Sequence, residues 1–248
     1  MSHNPFSLEG KTIFITGASS GIGRSIAVEC SKMGATLMIA GRNENRTHET
    51  LSLLEGKGHT QIIADLTKIE DVNKIISAVN NLDGIVLNAG ALKTVPVKHI
   101  SSEAIREVFD VNILSSIRLM QGIIKQKRMN KNGSIVFISS ISTSNVKFGN
   151  SLYSASKGAV NSFAKALALE VAKQKIRVNI VQPGFIKTNI MYKRGAITNE
   201  QFDEHIKAYP LGAGEPLDIA YASVYLLSDA SKWATGSIFT IDGGFTLT

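Results

Sequence analysis

The sequence of 248 residues contains one cysteine, Cys30, so no disulfide can form within the chain and a reducing compartment is its natural setting. Cys30 falls in an apolar-periodic helix, where a thiol behaves as a small core side chain. Proline is scarce, at 5 residues against 21 glycines, a balance that suits a packed enzyme and argues against a disordered or fibrous chain. Aromatic residues make up only 6%, and no basic run is interleaved with them, so nucleic acid is not an expected partner. No window approaches the roughly 18 uninterrupted apolar residues of a membrane-spanning helix, and Met1–Gly10 lacks the apolar stretch of a secretion signal. No membrane association and a cytoplasmic location follow as expectations.

Hydrophobic residues supply 44% of the chain, and the formal net charge is +7 with a pI near 9.4. The first figure allows a substantial core; the second favours an anionic partner such as a phosphorylated cofactor or an acidic carrier. The length predicts one domain, residues 1–248, rather than two. Short β-branched runs at Thr12–Thr16, Thr36–Ala40, Gln61–Ala64, Gly84–Leu87, Ser134–Ser139, Arg177–Val181 and Ser237–Ile241 alternate with amphipathic stretches. Strict strand–helix alternation predicts an α/β, doubly wound, parallel seven-stranded sheet of Rossmann-like type, with ligands at the carboxyl ends of the strands. Residues 187–214 break the alternation and read as a substrate lid or as a plain surface insertion.

Thr16-Gly17-Ala18-Ser19-Ser20-Gly21-Ile22-Gly23 follows the first predicted strand and opens the first helix. Glycine permits the tight turn there, and the N–H groups of the helix start offer an anion site for a pyrophosphate. The second strand ends at Ala40-Gly41-Arg42 with no carboxylate to grip a ribose 2′-hydroxyl. Arg42 instead presents a planar charged fork to a 2′-phosphate, and Gly41 leaves room for it, so NADP is favoured and NAD remains possible. Arg42 as a solvated loop charge is the alternative. Asp65-Leu66 and Asn88-Ala89-Gly90 end the third and fourth strands, along the crevice where an adenine and its ribose would rest.

Tyr153 and Lys157 stand four residues apart on a predicted helix Ser151–Lys173, which puts phenol and ammonium on one face. An adjacent ammonium and a cationic nicotinamide both favour the phenolate, so the tyrosine pKa is expected to fall. Ser140, at the end of the fifth strand, can direct a second hydroxyl at the same carbonyl oxygen. Asn112 is placed to hold a lysine or a water.

With these residues in this order, the chain resembles the short-chain dehydrogenase/reductase family over essentially its whole length. TGASSGIG at Thr16–Gly23, NAG at Asn88–Gly90, Asn112, Ser140, YSASK at Tyr153–Lys157 and PG at Pro183–Gly184 carry the resemblance. It implies a catalytic tetrad of Asn112, Ser140, Tyr153 and Lys157, with Lys157 also on the nicotinamide ribose and Asn112 ordering a relay water. It further implies that Ser19, Ser20 and Ile22 line the phosphate loop, and that Ile186 and Thr188 meet the nicotinamide carboxamide. Leu87 departs from the pattern, since many members carry a second asparagine there.

The C-terminal stretches Gly212–Glu215, Leu226–Ser228 and Ile241–Gly244 look like the 3-oxoacyl-[acyl-carrier-protein] reductase branch, whose members are usually homotetramers. The resemblance implies a small-molecule or acyl-thioester substrate, the latter on an acidic carrier. Lys125, Lys127, Arg128, Lys131, Lys173 and Lys175 would supply a complementary surface or simply a solvated basic face. Sugar, steroid and small-alcohol dehydrogenases share the same tail, and a non-catalytic dinucleotide sensor is the alternative from another class.

Overall fold

A computed structural model describes residues 4–188 and 206–247. Seven strands form one sheet, β1 (Thr12–Thr16), β2 (Thr36–Gly41), β3 (Thr60–Ile63), β4 (Leu82–Leu87), β5 (Met129–Ile138), β6 (Arg177–Pro183) and β7 (Ile238–Ile241), in the order β3-β2-β1-β4-β5-β6-β7. Every pair is parallel, as the alternation predicts. The chain reverses direction across the sheet between β1 and β4, which opens a crevice at their carboxyl ends.

Alternate side chains along the strands supply the two cores, because successive residues point to opposite faces. Ile13 and Ile15 of β1 pack with Leu37, Ile39 and Val86 beneath helices α1 (Gly21–Lys32) and, late in the chain, α7 (Pro216–Leu227). Phe14 joins Ile85, Leu87, Ile135 and Phe137 on the other face. That face is covered by α3 (Ile69–Ala78), α5 (Ser115–Lys125) and α6 (Ser151–Val171). Helices α2 (Glu44–Ser52) and α4 (Ser102–Phe109) accompany them. Each fully buried Ile or Phe contributes about 1.5–3 kcal/mol, and these two layers hold the strand ends in place.

Most strand boundaries fall within two residues of expectation, with one larger departure. Strand β5 begins at Met129 rather than Ser134 because Asn130–Gly133 bulges out: Leu82 pairs with Met129 and Gly84 with Ser134. Asn132 takes a left-handed φ of 64° in that bulge, so an Asn-Lys-Asn-Gly run that reads as a turn is carried inside a strand. Helix α6 ends at Val171, two residues short of the expected Lys173, and a 3-10 turn, Ala172–Gln174, follows it. Of the expected lid, residues 189–205 lie outside the described residues. Its two ends meet in a bridge, Ile186 beside Gly214, with Lys187 N–H donating to the Gly214 carbonyl at 2.9 Å.

Candidate active site

The glycine turn between β1 and α1 is held from behind by β4. Gly17 and Gly21 have φ of 66° and 55°, a region that favours glycine. Asn88 donates its side-chain N–H to the carbonyls of Thr16 at 3.2 Å and Gly17 at 3.1 Å. A Cβ on Gly23 would sit 2.4 Å from both Asn88 Nδ2 and the Gly17 oxygen. The Asn88 amide expected along the adenine crevice is therefore spent on the turn itself. Thr16 Oγ1 completes the brace by accepting from the N–H groups of Asn88 and Ala89 at 3.0 and 3.2 Å. At the start of α1, Ser20 makes no side-chain cap, so the first N–H groups of the helix face the crevice with their partial positive charge.

The far end of the crevice carries two arginines rather than one. Arg42 is exposed and forms no ion pair among the described residues. Arg46, one helical turn into α2, lines the same wall and was not singled out from the sequence, since i+4 from a loop arginine carries no motif. Gly41 does not leave open room: a Cβ there would meet Thr47 Oγ1 at 2.4 Å and Ser19 Cβ at 3.1 Å. The glycine is required by close packing of α2 and the phosphate loop, and any 2′-phosphate has to lie outward, beside the arginines. Asp65 accepts from the Thr67 N–H at 3.0 Å and its hydroxyl at 2.8 Å. Burial raises its carboxyl, but those hydrogen bonds and the nearby Arg42 and Lys68 charges outweigh it and hold the group below its usual range.

Ser140, Tyr153 and Lys157 converge where β5 ends and α6 begins. Ser140 caps the short turn Ile141–Thr143, with its Oγ accepting from Ser142 N–H at 3.1 Å and the two hydroxyls 3.1 Å apart. Tyr153 hydrogen-bonds to Ser140. Lys157, 5% exposed, donates from Nζ to the Ile138 carbonyl at 2.8 Å, and Nζ lies 5.9 Å from the Tyr153 ring centre.

The electrostatics differ in sign from the expectation for Tyr153. Burial raises the phenol, and the Ser140 hydrogen bond only partly offsets it. Burial also lowers Lys157 to about 8. The same desolvation thus opposes both charged forms, and it is stronger than the pull of an ammonium held on the Ile138 carbonyl.

Asn112 sits in a π-helical turn, Asp110–Leu114, joining α4 to α5, a distortion that often marks functional positions. Its Nδ2 donates to the Ala91 carbonyl and Ser156 Oγ, both at 2.9 Å, and its Oδ1 accepts from Ala91 N–H at 2.7 Å. The side chain thus ties the loop after β4 to α6 and does not itself hold Lys157. A Cβ on Gly90 would lie 3.4 Å from Asn112 Oδ1 and 3.6 Å from Lys157 Nζ, so Gly90 is the small residue that lets the three elements meet.

Arg42, Arg46, Asp65, Gly90, Ser140, Tyr153 and Lys157 border one cleft of about 1280 Å³, along with Ile22, Ala89, Leu66, Pro183, Gly184, Ile186 and Thr188, while Asn112 is not part of its lining. Thr188 packs over the phosphate turn, its Cγ2 lying 3.3 Å from where a Gly21 Cβ would be. The cleft also takes in Ser142, Lys147, Phe148 and Tyr209, which no motif identifies. Among the described residues no cluster of His, Cys, Asp or Glu could hold a metal ion, and no helix is long and apolar enough to cross a membrane.

The six basic residues, read as a carrier surface or as a solvated face, lie away from the cleft. Lys125 to Lys131 precede or open β5, and Lys173 and Lys175 precede β6, at the amino ends of strands whose carboxyl ends hold the cleft. Seven residues of β6, at about 3.3 Å each, separate them from the site by roughly 23 Å.

A doubly wound parallel sheet with a glycine turn at its switch point and a Ser, Tyr and Lys cluster beside it defines a dinucleotide-dependent oxidoreductase. The chain belongs to the short-chain dehydrogenase/reductase family. The family model described as enoyl-(acyl carrier protein) reductase matches residues 17–246. A 3-oxoacyl-[acyl-carrier-protein] reductase, FabG, of Rickettsia bellii is 34% identical over 241 residues, covering 97% of this chain and 98% of that one. Among solved structures, a proposed 2-deoxy-D-gluconate 3-dehydrogenase of Agrobacterium tumefaciens with bound NADP superposes with a TM-score of 0.90 at 30% identity, covering 99% and 100% of the two chains. A proposed gluconate 5-dehydrogenase of Beutenbergia cavernae, also with bound NADP, gives 0.87 at 31% identity with the same coverage.

Proposed function

We propose that the protein is an NADPH-dependent carbonyl reductase in which Tyr153 is the proton donor. The carrying observation is the convergence of Ser140, Tyr153 and Lys157 at the mouth of a cleft whose other end is walled by Arg42 and Arg46. The cleft fits the cofactor: its uncapped α1 start suits a pyrophosphate, and its arginines suit a 2′-phosphate. The names of the NADP-bound relatives support the same choice.

A bound reduced nicotinamide supplies the hydride. Ser140 and Tyr153 hydrogen-bond the substrate carbonyl oxygen, and Tyr153 gives up its proton to that oxygen as negative charge develops. A phenol raised by burial is fully protonated at neutral pH, the form that reduction requires. Lys157, still largely ammonium below pH 8, stabilises the phenolate left behind and binds the cofactor ribose. Asn112 positions Lys157 indirectly, by fixing Ala91 against α6.

The substrate class is a ketone or a 3-oxoacyl thioester, as in the FabG relatives. A carrier bound at the basic amino edge would be too far to serve the same chain's cleft. A homotetramer is part of the same reading; the edge strand β7 and the half-exposed Tyr221 and Leu217 on α7 beside it support a subunit contact there, since an open edge and an apolar face call for cover. NADPH consumption with a panel of ketones and acyl thioesters tests the proposal; no consumption with any of them counts against it.

A further inference from the structure

Arg24 stands one residue past the glycine motif, on α1 and outside the lining of the cleft, and its guanidinium gathers three parts of the chain. The two N–H groups of Nη2 donate to the Ser19 carbonyl and to Glu49 Oε2, both at 2.9 Å, and share the Arg46 carbonyl at 3.2 Å. Nε donates to Thr50 Oγ1 at 2.9 Å. That hydroxyl is buried and donates in turn to the Ala18 carbonyl, also at 2.9 Å. The phosphate loop and the first two turns of α2 are thus bolted together behind the cleft.

These bonds act on both anion sites of the cleft. A trans peptide sets each carbonyl opposite the following N–H. Drawing the Ala18 and Ser19 carbonyls back toward Thr50 and Arg24 therefore turns the N–H groups of Ser19 and Ser20 the other way. Ser19 and Ser20 border the cleft, whereas Arg24 and Thr50 do not, so the turned groups are donors for a pyrophosphate. At the second site the main chain of Arg46 is held from two sides: its N–H donates to Asn43 Oδ1 at 2.9 Å, and its carbonyl accepts from Arg24. A guanidinium on a fixed backbone loses less freedom on meeting a phosphate than one on a loose turn.

Resting on the NADPH reading, we infer that Arg24 is a positioning residue for cofactor choice. Without touching the dinucleotide, Arg24 and Thr50 set the spacing between the pyrophosphate loop and the arginines that meet the 2′-phosphate. Arg24 also carries a positive charge, which attracts phosphate at a distance whatever its hydrogen bonds. Thr50 separates the two effects, because it is uncharged and belongs only to the hydrogen-bonded link.

Two matched pairs, NADPH against NADH and 2′,5′-ADP against 5′-AMP, read the site by titration without turnover. The 2′-phosphorylated member of each pair is expected to bind the unaltered protein more tightly. Thr50→Val should cut that preference by about 3- to 10-fold, the worth of one hydrogen bond, and Thr50→Ser, which keeps the hydroxyl, should restore it. Arg24→Met should cut the preference further, and Arg24→Lys, with the charge but without the planar fork, should leave it low. A preference unchanged in Thr50→Val, with the fold intact by circular dichroism, overturns the inference and leaves the NADPH reading standing. Full preference in Arg24→Lys also overturns it, by assigning the effect to charge alone, and decides the matter if Thr50→Val does not fold. No preference within either pair in the unaltered protein removes the NADPH reading and this inference with it.

Discussion

Lys157 donates to the main-chain carbonyl of Ile138, the last residue of β5, at 2.8 Å. That bond fixes the ammonium two residues before Ser140 in the same chain segment, so one strand end sets both the lysine and the second hydroxyl. Among the described residues no carboxylate pairs with the buried Lys157, and the carbonyl satisfies one of its donors.

A lysine lowered to about 8 gives the reaction a pH dependence with a definite sign. Below that value the ammonium is present and the phenolate formed in the reduction is stabilised; above it the charge is lost. The kcat/KM for ketone reduction should be flat from pH 6 to 7 and fall as pH rises through about 8. In Lys157→Met that limb should disappear along with most of the activity. A profile still rising through pH 9 would contradict the role given to Lys157.

Asn112 makes three hydrogen bonds from a buried side chain. Asn112→Ala leaves the Ala91 main chain and Ser156 without those partners, at a cost of about 2–4 kcal/mol. Denaturant unfolding should show the loss, and kcat should fall by an order of magnitude or more because the Ala91 loop no longer holds Gly90 beside Lys157. Full stability would mean that the bonds are replaced by water.

Cofactor choice is read at Arg42 and Arg46. Arg42→Asp puts a repelling charge where an attractive one stood, and should weaken NADPH by about 100-fold while changing NADH by less than about threefold. Titration of the protein's fluorescence with each cofactor measures both. Parallel loss for the two cofactors would place the 2′-phosphate elsewhere.

Much of the fold was legible because a parallel sheet buried on both faces writes itself as short β-branched runs, and glycine, Tyr-x-x-x-Lys and Pro-Gly fell at strand ends where ligands bind. Tyr153 and Ser140 could be paired in advance because helix and strand periodicity carry that information. Side-chain partners were not legible. Asn88 lines the cleft as expected, yet its side-chain N–H, like the Asn112 amide, is occupied in holding loops together, and nothing in local sequence shows which carbonyl an amide will find. Gly41 looked like a space for phosphate and is filled by Thr47, a residue of the next helix. Lys147 belongs to no motif; only the fold brings it to Phe245 across the chain. Burial reversed the expected direction for Tyr153, since a helical spacing gives proximity to an ammonium but not the depth of either group.

The claim on which the account turns is that the Tyr153 phenol delivers the proton. Tyr153→Phe removes one oxygen and keeps the ring, so NADPH affinity measured by titration should stay within about twofold while ketone turnover falls by at least about 1000-fold. Turnover within tenfold of the unaltered protein, with NADPH still bound, would place the acid on another group and contradict the account.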